Sequence, residues 1–209
     1  MFTEMKTRRY RLGKRARQQE QTRRRIVEAA VALHEELGPR DTTISAIAER
    51  AGVQRLTVYR HFRDDAELFA ACSGHWLELN PPPDPAQWSG HDDPGRRSVA
   101  ALSAVYAYFR RTRGMLEGVY RDRAEMPAVD AVMAGFDAYL DAVRRDLAAC
   151  WNATRPARSR SRDATIVHCL RFSTWTSLAE QGLSDRRMAQ LAVRWIEAAG
   201  KAQDRARYA

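Results

Sequence analysis

Six side chains crowded between Arg55 and His61 are the ones best suited to chemistry in this sequence: Arg55, Leu56, Thr57, Tyr59, Arg60 and His61. They supply guanidinium, hydroxyl and imidazole donors and one large apolar group, the equipment of non-covalent recognition. An arginine can pair in two-pronged fashion with O6 and N7 of guanine, and a leucine can touch the methyl of thymine. Hydroxyl and imidazole groups such as those of Thr57, Tyr59 and His61 have the reach for phosphate oxygens, which positions a protein without reading bases. Arg55, in the first turn of its helix, is the leading candidate for base reading. Tyr59 could instead lay its ring on the core with a wet hydroxyl, and His61 could be a packing residue.

These side chains need a frame, and the flanking sequence provides one. Ile26, Ala29, Ala30, Leu33 and Leu37 recur at intervals of three or four, which predicts a helix from about Arg23 to Leu37, stopped by Gly38 and Pro39. A second helix starts near Thr42 or Thr43, either able to accept from first-turn amides, with Ile44, Ile47, Ala48 and Ala51 as its apolar stripe. Gly52 ends it. A third, Gln54 to Phe62, turns Val58 and Phe62 inward and Arg55, Leu56, Tyr59, Arg60 and Arg63 outward. A fourth follows Asp64 through Leu68, Phe69, Cys72 and Trp76. Thr43 to Phe62 is thus a helix-turn-helix pattern.

The chain has 209 residues, 44% of them hydrophobic, and a formal charge of +9, enough for a core without metals or disulfides. The charge is unevenly spread: residues 1–25 hold ten Lys or Arg against Glu4 and Glu20, a local +8. Such an arm suits a polyanion, although a solubilising tail is the plain alternative. Residues 1–20 are expected to be a basic, disordered arm, with Arg8 to Arg17 entering a minor groove or tracking the backbone. Arg23, Arg24 and Arg25 would sit in the first turn of their helix, opposing its dipole unless a phosphate lies nearby. Three scattered cysteines, Cys72, Cys150 and Cys169, argue against a disulfide framework and a zinc site, and no cofactor is expected. No apolar run approaches the roughly 18 residues of a membrane span. The basic start lacks an unbroken apolar stretch and a small-residue cleavage site, so a cytoplasmic location is expected. The absence of a phosphate loop, of HExxH, of GxSxG and of paired acids argues against an enzyme.

Asn80 to Gly95 holds five of the eight prolines and reads as a loop or linker. Beyond it only helical patterns occur: about Arg97 to Arg113, Ala128 to Trp151, Arg162 to Gln181 and Ser184 to Ala202. The expected fold is all-α, a helix-turn-helix three-helix domain at 21–66 followed by a larger helical domain at 67–209. In the latter, Tyr106, Phe109, Phe136, His168, Phe172 and Trp175 are candidate contacts for a small molecule, although any one could simply be core. Met188, Leu191, Ala192 and Trp195, with Cys169, Ser173 and Thr176 on the preceding helix, form stripes for a four-helix dimer interface or for the monomer's own core.

TRRRIVEAA at 22–30 and TTISAIAERAGVQRLTVYRHFRDDAELF at 42–69 resemble the DNA-binding domain of the tetracycline-repressor (TetR) family. The resemblance implies a homodimeric regulator, usually a repressor, that leaves a palindromic double-stranded DNA operator when a small-molecule effector binds the carboxy-terminal domain. It implies phosphate contacts at Thr43, Thr57, Tyr59 and His61 and base contacts around Arg55, Leu56 and Arg60. Two departures stand out: Gln54 where the family often has Ser, and Asp65 where it often has Lys. A nonspecific nucleic-acid binder without a ligand switch is the alternative that the charge alone permits.

Overall fold

A computed structural model describes the backbone of residues 2–153 and 160–206 and the side chains of residues 13–153 and 160–201. Every regular element among them is helical: α1 (Phe2–Leu37), α2 (Ile44–Arg50), α3 (Arg55–His61), α4 (Asp65–Leu79), α5 (Ala86–Ser89), α6 (Pro94–Arg111), α7 (Arg113–Asp122), α8 (Pro127–Ala153), α9 (Arg160–Cys169), α10 (Phe172–Ala179) and α11 (Asp185–Ala206). Contacts divide the chain into two units, Met1–Asn80 with Gly114–Val132, and Pro81–Arg113 with Met133–Ala209.

The first unit is larger than the expected 21–66. α4 buries Leu68, Phe69, Cys72 and Trp76. The Trp76 indole donates to Glu35 at 2.9 Å, and the Phe69 ring lies 5.3 Å from that of His34, so α4 packs on α1. The arm expected to be disordered is helical, because α1 begins at Phe2. Residues 2–20 contain no proline and one glycine, and their many Arg, Lys, Gln and Glu residues are good helix formers. Side chains from Gly13 to Glu20 are exposed, while those of Arg8, Arg9 and Arg11 lie outside the described residues.

Sequence periodicity assigns no element to 114–127, yet α7 occupies most of it and completes this unit. Met115, Leu116 and Val119 are buried. Gly38, at φ +88°, turns the chain out of α1, and a Cβ on Gly118 would come within 2.9 Å of its Cα. No side chain fits between the two. Asp122 is fully buried and accepts the Arg40 amide at 3.0 Å and Arg121 Nε at 2.7 Å. The Arg121 hydrogen bond holds the Asp122 carboxyl below the usual carboxylate range. Arg121 Nη2 also donates to the Leu37 carbonyl at 2.9 Å, satisfying an acceptor that the end of α1 leaves open.

In the second unit, the proline-rich stretch is anchored and is no free linker. α5 interrupts it, and Trp88, 1% exposed, donates to Asp146 Oδ2 at 3.1 Å. Arg97 grips the same carboxylate with Nε and Nη2. The helix expected over Arg162 to Gln181 is broken into α9 and α10. The Thr174 hydroxyl donates to the His168 carbonyl at 2.7 Å, and after the break both Phe172 and Trp175 are buried. Met188, Ala192 and Cys169 are completely buried within the single chain, so they close the unit's own core. Leu191, Trp195 and Thr176 stay partly exposed and Ser173 exposed.

Candidate nucleic-acid interface

Local chemistry sets the frame of the helix-turn-helix. Thr43 Oγ1 accepts the Ala46 amide at 3.2 Å and starts α2. Gly52, at φ +63°, reverses the chain, and the Val53 amide closes the turn on the Ala48 carbonyl at 2.9 Å. Arg50 holds Glu36 through two bonds of 2.6 and 2.8 Å, tying α2 to α1. Gln54 caps α3 with an extended backbone and no side-chain bond, as its chemistry suggests.

Val58 and Phe62, each 1% exposed, anchor α3 from behind. Arg55, Leu56, Tyr59 and Arg60 face outward, with Leu56 60% exposed. Leu56 thus presents most of its apolar surface to water. Among the described residues neither Arg55 nor Arg60 forms an ion pair; the Arg55 guanidinium lies 5.9 Å from the Tyr59 ring. Thr57 and His61 are partly buried and share with Arg23, Arg60 and Gln19 a cleft of about 510 Å³ between α1 and α3. Thr43 is exposed, its hydroxyl hydrogen free of the cap bond.

The arginines of α1 differ from the sequence reading. Since the helix starts at Phe2, Arg23, Arg24 and Arg25 are mid-helix residues, and the dipole penalty assigned to a first turn does not apply. Arg23 stacks its guanidinium 4.7 Å above the Phe62 ring. Arg24 is held by Glu28 at 2.8 Å and has less charge to offer a phosphate.

α4 begins with a reciprocal cap: Asp64 accepts the Glu67 amide at 2.8 Å, and Glu67 accepts the Arg63 amide at 2.9 Å. Asp65 is left exposed on the wall that also carries Thr43, Arg55 and Tyr59. If duplex phosphates pass this wall, Asp65→Lys tightens binding at moderate salt and steepens the slope of log affinity against log salt by about 0.9. Filter binding across a salt series measures both, and an unchanged affinity would place the phosphates elsewhere.

In the second unit, Phe109 is the hub of an aromatic cluster, with ring centroids at 5.4 Å from Phe172, 5.9 Å from Trp175, 6.3 Å from Phe136 and 6.4 Å from Tyr106. Tyr106 donates to the Cys169 carbonyl at 2.7 Å. Tyr108, missed as a candidate, and Tyr139 lie against Phe136 in the same cluster. His168 does not join it: the imidazole is exposed on the far side of α9, next to Thr174. Its expected mid-helix position on one long helix is lost to the break after Cys169. Among the described residues no group of His, Cys, Asp and Glu is placed to hold a metal, and no helix is long and apolar enough to cross a membrane.

A two-unit helical chain that displays an outward-facing α3 behind a glycine turn is built as a helix-turn-helix protein. Residues 26–72 match the family "Bacterial regulatory proteins, tetR family". The HTH-type transcriptional regulator SrpR of Pseudomonas putida is 40% identical over 74 residues, 34% of this chain and 35% of that protein. An uncharacterized HTH-type transcriptional regulator, TtgW, also from Pseudomonas putida, is 39% identical over 74 residues, 34% of this chain and 55% of that one. The match thus spans between about a third and a half of these relatives' length. The TetR family transcriptional regulator PfmR from Thermus thermophilus superposes with a TM-score of 0.56 at 19% identity, covering 82% of this chain and 96% of that chain. Residues 26–72 are thus similar to the amino-terminal domain of the tetR family, and the chain shares the helical fold of a solved TetR regulator.

Proposed function

We propose that the protein is a DNA-binding transcriptional regulator, a homodimer that represses from a palindromic operator and is released by a small molecule. The observation that carries the DNA-binding reading is α3 itself: four outward side chains, two of them arginines held by no ion pair among the described residues, on a helix fixed from behind by Val58 and Phe62. Thr43, Thr57, Tyr59 and His61 supply phosphate contacts, while Arg55, Leu56 and Arg60 read bases. Arg23 supports the cleft in which Thr57 and His61 lie. Two such helices, related by a dyad, meet half-sites about one helical turn or a multiple apart. An effector that binds at the aromatic cluster around Phe109 does so by displacing one of its closely packed rings. A coupling of about 1–3 kcal/mol between effector and DNA gives a 5- to 150-fold shift in affinity.

Selection of bound fragments from random duplexes tests this reading. It should return a two-fold symmetric motif bound at least about 10³-fold more tightly than bulk DNA. A ratio near one would favour the nonspecific binder. Arg55→Ala is expected to cost about 1–3 kcal/mol on that motif and to relax preference at one base pair in each half-site. A motif unchanged in this variant would remove Arg55 from base reading.

A further inference from the structure

α1 is longer than the packing of its unit requires. Its first buried side chain is Ile26, and the stretch before it, from Phe2 to Arg25, runs about 36 Å at 1.5 Å per residue. Every described side chain from Gly13 to Gln21 is exposed. A helix with no buried side is not held by packing, so this overhang has another use. Its charge points to one. Between Glu4 and Glu20 the sequence has seven Lys or Arg and no acid. Among the described residues Lys14, Arg15 and Arg17 form no ion pair, and Arg17 Nε donates to the uncharged Gly13 carbonyl at 3.3 Å. Lys14 and Arg17, three apart on a helix, repel each other. A polyanion laid alongside removes that repulsion and releases its own counterions.

The place where the overhang leaves the domain gives its direction. Ala16, Gln19, Glu20 and Arg23 recur at intervals of three and four, and this stripe lines the cleft opposite Thr57 and Arg60 of α3. Glu20 is the single acid on it. No described residue before Ala16 lines the cleft, so the helix continues beyond it on the side of α3 where a duplex backbone would pass. Arg15 and Arg17 flank the stripe, about 100° to either side of Ala16, while Lys14, about 200° round, lies on the opposite face.

We infer that the amino-terminal half of α1 is a second DNA-contacting element, a basic shaft that lies along the sugar-phosphate backbone outside each half-site and holds it through Arg15 and Arg17. It is separate from the base-reading face of α3 and is indifferent to sequence, since phosphates carry none. Its length matches about ten base pairs at 3.4 Å each. The position outside a half-site rests on the proposed function; the attraction of the shaft to a duplex does not.

The test compares the full chain with the double variant Arg15→Gln/Arg17→Gln and, as control, Lys14→Gln. All three positions are exposed and glutamine is a good helix former, so the three proteins should have the same circular dichroism. The probes are the selected motif as a bare duplex and the same motif with about ten arbitrary base pairs added on each side. The unaltered chain and Lys14→Gln should bind the extended duplex about tenfold more tightly than the bare one, whatever the added sequence, and the double variant should bind both alike. On the extended duplex the double variant's slope of log affinity against log salt should be shallower by about 0.9 for each arginine removed. Hydroxyl-radical cleavage should show sugars protected outside both half-sites by the unaltered chain and not by the double variant. Equal affinity of the unaltered chain for the two duplexes, a gain or outer footprint retained in the double variant, or an equal loss in Lys14→Gln would overturn the shaft. Anionic lipid vesicles that hold the unaltered chain and not the double variant, with DNA affinity the same for both, would give the shaft to a membrane surface instead. If selection returns no motif, the proposed function fails separately. The shaft is then read on bulk duplex, where the double variant must still show a shallower salt slope than Lys14→Gln.

Discussion

Phe62→Ala is expected to destabilise the first unit by about 3–5 kcal/mol, the range for truncating a buried aromatic residue, and with it to abolish sequence-specific binding. Phe62 is 1% exposed and caps α3 with an extended backbone, so its ring is the last fixed point before the chain turns into α4. It is also the surface on which the Arg23 guanidinium rests at 4.7 Å. Removing it leaves a cavity behind the reading helix and releases the cation from its stack. Since whole domains are stable by only about 5–15 kcal/mol, the loss is a large fraction of what holds α3 in place. Native-state hydrogen exchange at the α2 and α3 amides measures the change. Arg60→Ala is the contrast, an exposed substitution that should alter stability by no more than about 0.5 kcal/mol while weakening DNA binding. A loss below about 1 kcal/mol for Phe62→Ala would show that another residue anchors the helix.

The parts of this molecule that can be read from sequence are those whose signals are local. Val58 and Phe62, four residues apart, have to face one way, and Gly52 has to sit where a left-handed turn is needed, so the helix-turn-helix is legible with its outward arginines. What escapes depends on distant partners. α7 is short and polar, and its meaning lies in Gly118 meeting Gly38 and in Asp122 receiving Arg40 and Arg121, with Gly38 and Arg40 some eighty residues away along the chain. Trp88 in a proline-rich stretch reads as linker because nothing nearby announces Asp146, its partner on α8. The continuous periodicity from Arg162 to Gln181 hides the break at Leu170, which arises when the Thr174 hydroxyl takes the His168 carbonyl. That break moves His168 out of the candidate site. Arg23 is visible in the sequence as a cation, but its placement over Phe62 comes from a helix that starts one arm's length earlier than the apolar stripe does.

Phe109→Ala should be the most destabilising change in the second unit, about 3–5 kcal/mol, and it also decides what the aromatic cluster is. The ring is fully buried and touches the rings of Tyr106, Tyr108, Phe136, Phe172 and Trp175, with centroids 5.4–6.5 Å away. Rings that fill one another this way leave an effector two routes: displacing one of them, or binding elsewhere. Truncating the hub opens an apolar void of the kind that stays dry and accepts benzene. Benzene should therefore restore the variant, by about 2.7 kcal/mol at a hundred times its dissociation constant, while leaving the unaltered protein's melting temperature unchanged. Four of the five tryptophans, Trp88, Trp151, Trp175 and Trp195, lie in this unit, so fluorescence-detected melting reports on it directly. If benzene raised the melting temperature of the unaltered protein as much as that of the variant, the cluster already holds room for a guest, and Phe109 with Phe136 and Phe172 would be effector contacts and not closed core.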